Sequence, residues 1–503
     1  MSSSTTSSSW RASSRPNGVR ATRFALAGIF VACLAYFGYI AGRRAIDSDE
    51  GYYVLSGRAL YRGTLLYRDL FFPQMPLTAV VFGLWDRIAG PGFIAARFLS
   101  ALIASLNGVL VYHIVRRRTG VGAAAIATAF YCSSILVFLW MPTLKTYGLS
   151  SLCLMSALGL STGGAPTPRR ALAGGCLIGF AVSTRLMFAP LLPLVPVAWL
   201  LRSETPTERR RAAAISCVGV VLGLLPALAL AAASPSEFWF CNVTYHAIRD
   251  GSSALIENFA QKWDVARVLL GLSGDGVGIQ FSILLVCSVA GVRTLWKTER
   301  PYVVFALAVI TEAALSALPS PTWDQYFSVV VPLAAVASGV LFHRAGAAGR
   351  SIGLGLLGYS MLLGALVFDA QIVHAPLEWR PRTFDEVGRS MDALVPPAGT
   401  VASAWPPYLV GSRRRTHLLA IDQYARGDFP MLSEAARRRH HLFTMDQLNR
   451  AVLRGEASAI VIGIEGDKQI ERTLRRRKWV HRKVSGAVIW AKRPDAAQGQ
   501  SSI

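Results

Sequence analysis

Charge is scarce in this chain. Only 16% of its residues are Asp, Glu, Lys or Arg, where a water-soluble protein uses about 25%. Cysteine supplies no framework either. Cys33, Cys132, Cys153, Cys176, Cys217, Cys241 and Cys287 stand singly, nearly all within apolar blocks, and no C-x-x-C occurs. That excludes a disulfide scaffold and a structural zinc site. Glycine-rich phosphate loops, Ser/His/Asp sets and haem motifs are missing as well. The shortage of charge, together with apolar blocks of about 20 residues, rules out a cytosolic enzyme and a disordered protein.

What the chain has is hydrophobicity: 52% of its 503 residues, with a mean hydropathy of +0.40. It comes in blocks near the length of a membrane span. They fall at 24–42, 97–115, 121–141, 146–162, 171–184, 186–201, 213–233, 279–296, 302–318, 326–342 and 351–370. The expected fold is therefore mainly α, a polytopic membrane protein of eleven spans with a small C-terminal α/β domain. The run 24–42 reads as an uncleaved signal anchor, because it is long for a signal peptide and lacks a small-x-small cleavage site.

Lys and Arg number 52 against 29 Asp and Glu, a net charge of +23. On a soluble protein that excess would point to nucleic acid. Here the arginines sit between apolar blocks, which is the bias that orients membrane helices. If the short block 76–90 does not cross, Arg116–Arg118, Arg169–Arg170, Arg202 with Arg209–Arg211, Lys297–Arg300 and Arg344–Arg350 all face the cytoplasm with the N-terminus. Block 76–90 is then a helix at the outer face. The expected organisation is a disordered cytoplasmic tail at 1–22, a transmembrane domain at 23–372, and a soluble extracytoplasmic α/β domain at 373–495 with a tail at 496–503. Outer loops span 43–95 and 234–278. The setting is a cell (inner) membrane. In the last domain, helix-like stretches appear at 383–394 and 443–455 and strand-like runs at 459–464 and 487–491.

Chemistry concentrates in the first outer loop. Asp47-Ser48-Asp49-Glu50-Gly51-Tyr52-Tyr53 places three carboxylates within four residues, directly after the first span. Neighbouring helix residues project about 100° apart, so Asp49 and Glu50 cannot both aim at one atom; one acts and the other orients. Arg58 and Arg62 follow on one helical stripe, a pattern suited to a phosphate-bearing lipid head group and equally to ordinary snorkelling side chains.

The string D-E-G-Y-Y, then G-x-x-x-Y-R-D at Gly63–Asp69, then P-x-x-P-L at Pro73–Leu77, then Ala96-Arg97-Phe98-Leu99-Ser100 resembles the GT-C superfamily of membrane glycosyltransferases. The likeness is strongest to its family-39-like bacterial branch, related to protein O-mannosyltransferases and to lipid A aminoarabinose transferases. Gly179-Phe180-Ala181 with Thr184-Arg185, and Asp324-Gln325-Tyr326-Phe327 with Pro332, fit the same pattern. The resemblance spans roughly 24–345. It implies a polyprenyl-phosphate sugar donor, transfer with inversion to a hydroxyl or amine-bearing glycan, lipid or protein, Asp49 as general base, and Glu50 as its companion with Asp47 nearby. An ordinary aspartate is a weak base, so the role calls for a desolvated or acid-flanked setting. Arg58, Arg62, Arg68 or Arg185 would stabilise the leaving phosphate. Tyr53, Asp69, Asp324 and Tyr326 are further substrate-contact candidates. Where relatives often carry lysine before P-P, this chain has Pro73-Gln74-Met75-Pro76, so the phosphate-binding cation is left open.

Two isolated residues join the candidates. Glu312 is an ionisable group inside an expected span, a functional position by default. His246 stands in the second outer loop. His440–His441 beside Arg437–Arg439 reads as a solvated basic turn, and no metal or cofactor site is encoded, although three close acids leave a divalent ion open. The arginine clusters at 413–415, 437–439 and 475–477 make the last domain basic, for anionic lipid heads, an acidic polysaccharide, or simply a solvated face. Two other functions fit the same hydropathy: a transporter or lipid flippase, and a polymerase or ligase of lipid-linked polysaccharide. The first would gather its ionisable residues at the bilayer midplane, often in repeats, whereas here they gather at the outer boundary and no repeat is visible.

Overall fold

The computed structural model describes residues 16–202, 204–249, 255–273, 276–427, 429, 431–463 and 468–493. Residues 1–15 and 496–503 of the expected tails lie outside the described residues. Pro16–Thr22, expected to be unstructured, instead forms the first turns of α1 (Pro16–Arg43). Proline is tolerated in a first turn, and nothing between it and the apolar block breaks the helix.

After α1 come α2 (Glu50–Leu60), α3 (Leu77–Ala89), α4 (Phe93–Arg116), α5 (Val121–Ser133), α6 (Ile135–Trp140), α7 (Thr146–Thr162), α8 (Pro168–Thr184), α9 (Leu194–Leu200) and α10 (Pro206–Ala233). The short α11 (Pro235–Trp239) and α12 (Tyr245–Ile248) lead to α13 (Leu255–Leu269), α14 (Gly276–Thr298), α15 (Val303–Ser316), α16 (Val330–Arg344) and α17 (Gly346–Phe368). Among the described residues, six helical stretches are long and apolar enough to cross a membrane: Thr22–Arg43, Phe93–Arg116, Pro206–Ala233, Val277–Thr298, Asp324–Arg344 and Gly346–Val373. The other five expected blocks are helical but short or broken. Helices α7, α8 and α15 have 17, 17 and 14 residues. Block 121–141 divides at Ser134, which is extended. Block 186–201 opens as a 3-10 turn containing Pro190 before α9. The chain is a multi-pass membrane protein.

The arginine-rich turns meet at one end of the bundle. Arg117 donates to the Gly159 carbonyl (3.2 Å), Arg170 to that of Leu160 (2.8 Å) and Arg202 to that of Ser161 (3.1 Å). Arg118 and Arg344 both pair with Glu299. This draws together the ends of α4, α7, α8, α14 and α16.

At the C-terminal side, α18 (Pro381–Leu394), α19 (Glu434–Arg439), α20 (Met445–Arg454) and α21 (Lys468–Arg476) accompany a five-stranded sheet. Its strands are β1 (Thr400–Ser403), β2 (Arg415–Thr416), β3 (Ala459–Ile462), β4 (Val480–Val484) and β5 (Ala487–Ala491), in the order β2-β1-β3-β5-β4. β1 runs parallel to β2 and β3, with Val401 opposite Ala459, while β5 is antiparallel to β3 and β4, with Ile460 opposite Trp490. β3 is apolar and buried throughout, as a strand covered on both faces must be. The edge strand β4 exposes His481, Arg482 and Lys483, charges that discourage a further strand from pairing. The mainly helical fold with a small C-terminal α/β sheet is as expected.

Two hydrophobic cores divide the molecule. One lies within the helical bundle and includes Phe37, Val111, Tyr131, Leu158, Phe305 and Val336. The other joins Tyr52, Phe71 and Phe72 of the segment after α1, Phe240 and Tyr245 of the segment after α10, and Phe384, Leu448 and Trp490 of the sheet domain. These two segments and the C-terminal domain therefore pack as one body against the end of the bundle. Three contacts fix it there. Gly51 meets the Pro406–Pro407 backbone so closely that a Cβ would sit 2.4 Å from the Pro407 nitrogen. Arg58 pairs with Asp86 of α3 (2.9 and 2.7 Å) and donates to the carbonyls of Ser412 (2.9 Å) and Val410 (2.7 Å). Asp385 of α18 accepts from the Phe93 and Ile94 N–H groups (2.5 and 3.2 Å), capping the free donors at the start of α4.

Candidate active site

The loop after α1 is anchored by Glu50. Its carboxylate is fully buried and takes two hydrogen bonds from Arg97 of α4 (2.6 and 2.5 Å), one from the Leu144 N–H (2.9 Å) and one from the Asp47 N–H (2.7 Å). Arg97 also donates to the carbonyls of Ala41, Arg44 and Ala45 (3.2 Å each), closing the end of α1. A buried charge pair is tolerated only with such full hydrogen bonding. One cluster thus fixes both the Asp47–Asp49 turn and the turn before α7.

That second turn delivers Lys145. Its buried ammonium contacts Asp47 Oδ1 (2.7 Å), Asp49 Oδ2 (3.1 Å) and Gln325 Oε1 (2.8 Å), so all three N–H donors have partners. Burial alone disfavours the charge, but the Asp49 and Asp47 carboxylates outweigh it and raise the ammonium's pKa above the ordinary lysine value. Burial likewise pushes the Asp47 carboxyl up, and Lys145 more than reverses it, leaving the group below the usual aspartate value. The indole of Trp140 lies 4.8 Å from the ammonium and 4.5 Å from the Arg44 guanidinium.

The other oxygen of Asp49 accepts from Ser48 Oγ (3.2 Å) and from the hydroxyl of Tyr424, in the C-terminal domain. Tyr424 is set by Asp422, whose Oδ1 accepts the Tyr424 N–H (2.7 Å). The Asp422 carboxyl is pushed up to about 8 by burial, and its Oδ2 has no hydrogen-bond partner among the described residues.

Beside this centre, Arg185 at the end of α8 lies between the rings of Tyr147 (4.8 Å) and Tyr326 (5.2 Å). One of its terminal nitrogens is buried without a hydrogen-bond partner among the described residues. Glu312 of α15 is wholly buried, and neither carboxylate oxygen has a hydrogen-bond partner among the described residues. A guanidinium with one open terminal nitrogen, a carboxylate without a hydrogen bond and several tyrosines around a lysine-bridged aspartate pair form a site able to bind an anion and hydroxyl groups at once.

Residues 73–236, under half of the chain, match the family model described as dolichyl-phosphate-mannose-protein mannosyltransferase. No curated protein matches this sequence. Among solved structures, ArnT from Cupriavidus metallidurans in the apo state is similar at 15% identity and a TM-score of 0.63, over 96% of this chain and 100% of that one. The same protein bound to undecaprenyl phosphate gives 15% and 0.64, over 94% and 99%. The chain has the GT-C fold. An oligosaccharyltransferase from Archaeoglobus fulgidus is more distant, at 15% identity and a TM-score of 0.49, over 87% of this chain and 68% of that one. The resemblance to GT-C glycosyltransferases read from the motifs after the first apolar block is borne out.

Within the GT-C fold the sequence candidates separate into two groups. Asp47, Asp49, Tyr53, Arg185, Tyr326 and Glu312 gather around the centre just described. Tyr53 is buried, and burial with the nearby Asp49 charge raises its hydroxyl pKa. Asp324 accepts the Gln325 N–H (2.8 Å) at the start of the turn that carries Gln325 and Tyr326. Glu50 points away from Asp49, into its pair with Arg97. Arg58, expected to face a phosphate, has four of its five N–H groups engaged by Asp86 and the C-terminal domain. Arg62 shares its stripe only to reach the Arg413 carbonyl at 3.4 Å, at the surface. Arg68 is exposed and pairs with Asp69 (2.8 Å), whose second oxygen accepts the Leu65 N–H (2.8 Å), a turn of the loop itself. His246 donates from Nε2 to the Pro73 carbonyl (3.0 Å); burial lowers its pKa to about 4, so it is neutral. Lys145, Gln325, Tyr424 and Asp422 are the residues that sequence reasoning missed. Lys145 carried a signal, being the first lysine in the chain and standing between two apolar blocks.

Proposed function

We propose that this protein is an integral membrane glycosyltransferase that moves a monosaccharide, hexosyl or pentosyl, from a polyprenyl-phosphate donor to a glycan, lipid or protein acceptor at the extracytoplasmic face. The single observation that carries the reading is the aspartate pair on Lys145 beside Arg185, which keeps one terminal nitrogen open, within a GT-C fold. Undecaprenyl phosphate bound to the similar ArnT supports the donor class. The orientation rests on the arginine-rich turns gathered at the opposite end of the bundle, the side that faces the cytoplasm under the positive-inside bias. Residues 373–495 are then the extracytoplasmic domain.

In the proposed reaction, the acceptor hydroxyl attacks C1 of the sugar and gives its proton to Asp49. The bond from C1 to the phosphate oxygen breaks, and its electron pair leaves on the lipid phosphate. The sugar changes configuration once. Arg185 takes the growing phosphate charge, in place of Arg58. Lys145 holds Asp49 in register while Asp47 balances the ammonium. Tyr147 and Tyr326 wall the guanidinium, and Glu312 faces sugar hydroxyls.

The test is transfer from a panel of polyprenyl-phosphate sugars by purified, lipid-reconstituted protein, wild type beside Asp49→Asn. Turnover by the wild type with a loss of 10²-fold or more in the folded variant, the typical scale of a general base, supports both class and base. Turnover retained in Asp49→Asn removes the base from Asp49. If a lipid-diphosphate oligosaccharide is used and every monophosphate donor refused, the donor assignment fails.

A further inference from the structure

The C-terminal domain is strongly basic, with 22 Lys and Arg against 13 Asp and Glu from residue 371 onward. Much of that charge is spread over its surface, but one part of it is gathered into a cavity. An open hollow of about 380 Å³ is lined by Arg438 at the end of α19, His441 and Leu442 after it, Gln447, Arg450 and Arg454 of α20, with Leu419 and Phe443 beside them. No Asp or Glu lines it. The size lies within the ordinary range for small-ligand pockets, about 300–1,000 Å³.

The geometry points to this cavity as a binding site for an anionic saccharide, the part of the acceptor that the chain recognises. Its cations are arranged in two ways. Arg438 and Arg454 are steadied at the rim by Glu434 and Glu456 respectively, while Arg450 is exposed and has no ion-pair partner among the described residues. Gln447 uses its carbonyl oxygen to accept the Thr444 N–H (2.8 Å), which leaves its amide N–H groups free. Guanidinium groups bind carboxylate and phosphate oxygens through paired hydrogen bonds. Apart from His441, the remaining lining is apolar, made by Leu419, Leu442 and Phe443, the last two rooted in the domain core. A sugar ring carries both features, a C–H face and a polar rim, whereas a bare inorganic anion has no use for an apolar wall and a membrane surface needs no hollow.

Position connects the cavity to the transfer site, and this step rests on the proposed glycosyl transfer. Phe443 exchanges backbone hydrogen bonds with Ala425 (2.9 Å) and Gly427 (3.2 Å). That partner segment begins at Tyr424, which touches Asp49. His441, on the cavity wall, donates from Nε2 to the Arg68 carbonyl of the first outer loop (2.7 Å). A saccharide held here sits one chain segment from the proposed base, at the seam between the C-terminal domain and the loop that carries it.

The test separates binding from transfer. Full-length protein in lipid nanodiscs is titrated with glucose 6-phosphate, glucuronate, neutral glucose, inorganic phosphate and phosphatidylglycerol vesicles. The comparison is between the wild type and Arg450→Ala/Arg454→Ala, whose side chains are exposed, with an unchanged Tm as the check that the variant is folded. A second basic patch, Arg475→Ala/Arg476→Ala, is the control. Binding of an anionic sugar, at least tenfold weaker in the cavity variant and unchanged in the control, with neutral glucose unbound, supports the proposal. Equal binding of inorganic phosphate and sugar phosphate, response to vesicles alone, or equal loss in both variants overturns it. In transfer assays, the cavity variant is expected to raise KM for an anionic acceptor at least tenfold with kcat and the KM of a neutral acceptor unchanged. Sugar binding that persists in a protein unable to transfer any sugar would sink the transferase reading and leave the cavity assignment standing.

Discussion

The Tyr424 hydroxyl donates a hydrogen bond to Asp49, so a residue of the C-terminal domain occupies an oxygen of the proposed base. An acceptor hydroxyl that is to lose its proton to Asp49 must make the same contact. Tyr424 thus stands where the acceptor must arrive, and it has to yield before transfer. Tyr424→Phe removes the competing donor and keeps the ring against Tyr52. The expected outcome is a severalfold rise in kcat/KM for the acceptor with donor KM unchanged, read from steady-state kinetics. A fall of tenfold or more would instead make Tyr424 part of the catalytic machinery.

The part of this site that lay in one stretch of sequence was readable, and the part assembled across the chain was not. Three carboxylates at the end of an apolar block are unusual enough to mark Asp47 and Asp49 without any structure. Tyr424 lies 375 residues away from Asp49, in the unremarkable string Asp422-Gln423-Tyr424-Ala425. Nothing local distinguishes it from a surface tyrosine. Arg58 shows the opposite case: its spacing from Arg62 suggested a shared stripe, but its partner Asp86 sits on a second helix, and a pair across helices leaves no mark in the sequence of either.

Lys145 is the centre of the charge balance, and its removal is expected to destabilise the fold as well as the reaction. Lys145→Met keeps the length and apolar stem of the side chain but leaves Asp47 and Asp49 facing each other without the ammonium they share. Breaking a buried pair from one side typically costs about 3–5 kcal/mol. Both carboxylates keep some exposure, which places the expected loss near about 3 kcal/mol. Thermal unfolding of the reconstituted protein checks it, and Asp47→Asn in the Lys145→Met background should recover part of the stability by removing one of the stranded charges. No recovery would show that the two aspartates do not share the lysine.

Glu50 and Arg97 give a prediction that separates support from catalysis. Glu50→Gln strands the Arg97 guanidinium inside the protein, while Glu50→Gln with Arg97→Met strands neither a charge nor a volume. The single change is expected to lower stability by about 3–5 kcal/mol, and the double change to lose less than the sum of the two singles, the signature of direct coupling. If Glu50 only positions the loop, turnover per folded molecule falls far less in Glu50→Gln than in Asp49→Asn. Equal losses would return Glu50 to the reacting groups.

The fold shows the same division. The long apolar helices and the all-apolar strands β3 and β5 were visible as runs of one character. The sheet's edge was not, because β4 is built from Val480-His481-Arg482-Lys483-Val484, a charged sequence whose strand state comes from pairing with β5 rather than from a buried face. Block 186–201 was apolar enough to read as one span, but Pro190 falls within it and cannot donate to an α-helical ladder, so it begins as a 3-10 turn.

Asp422 provides the pH test of this arrangement. Its pKa is raised by burial from the ordinary 3.8 to about 8 in the folded protein. Between those values the unfolded chain has released the proton that the folded chain still holds, so the folded state binds more protons and stability falls as pH rises. The contribution is fully present below about pH 4, declines across about pH 4 to 8, and is lost above that. Asp422→Asn keeps an oxygen to accept the Tyr424 N–H and removes the titration. Its Tm is expected to match the wild type at pH 4, exceed it at pH 8, and vary less with pH between them. Parallel curves for the two proteins would mean that Asp422 is already ionised at neutral pH, and that the carboxylates of Asp49 and Asp422 share the same junction as two charges rather than one.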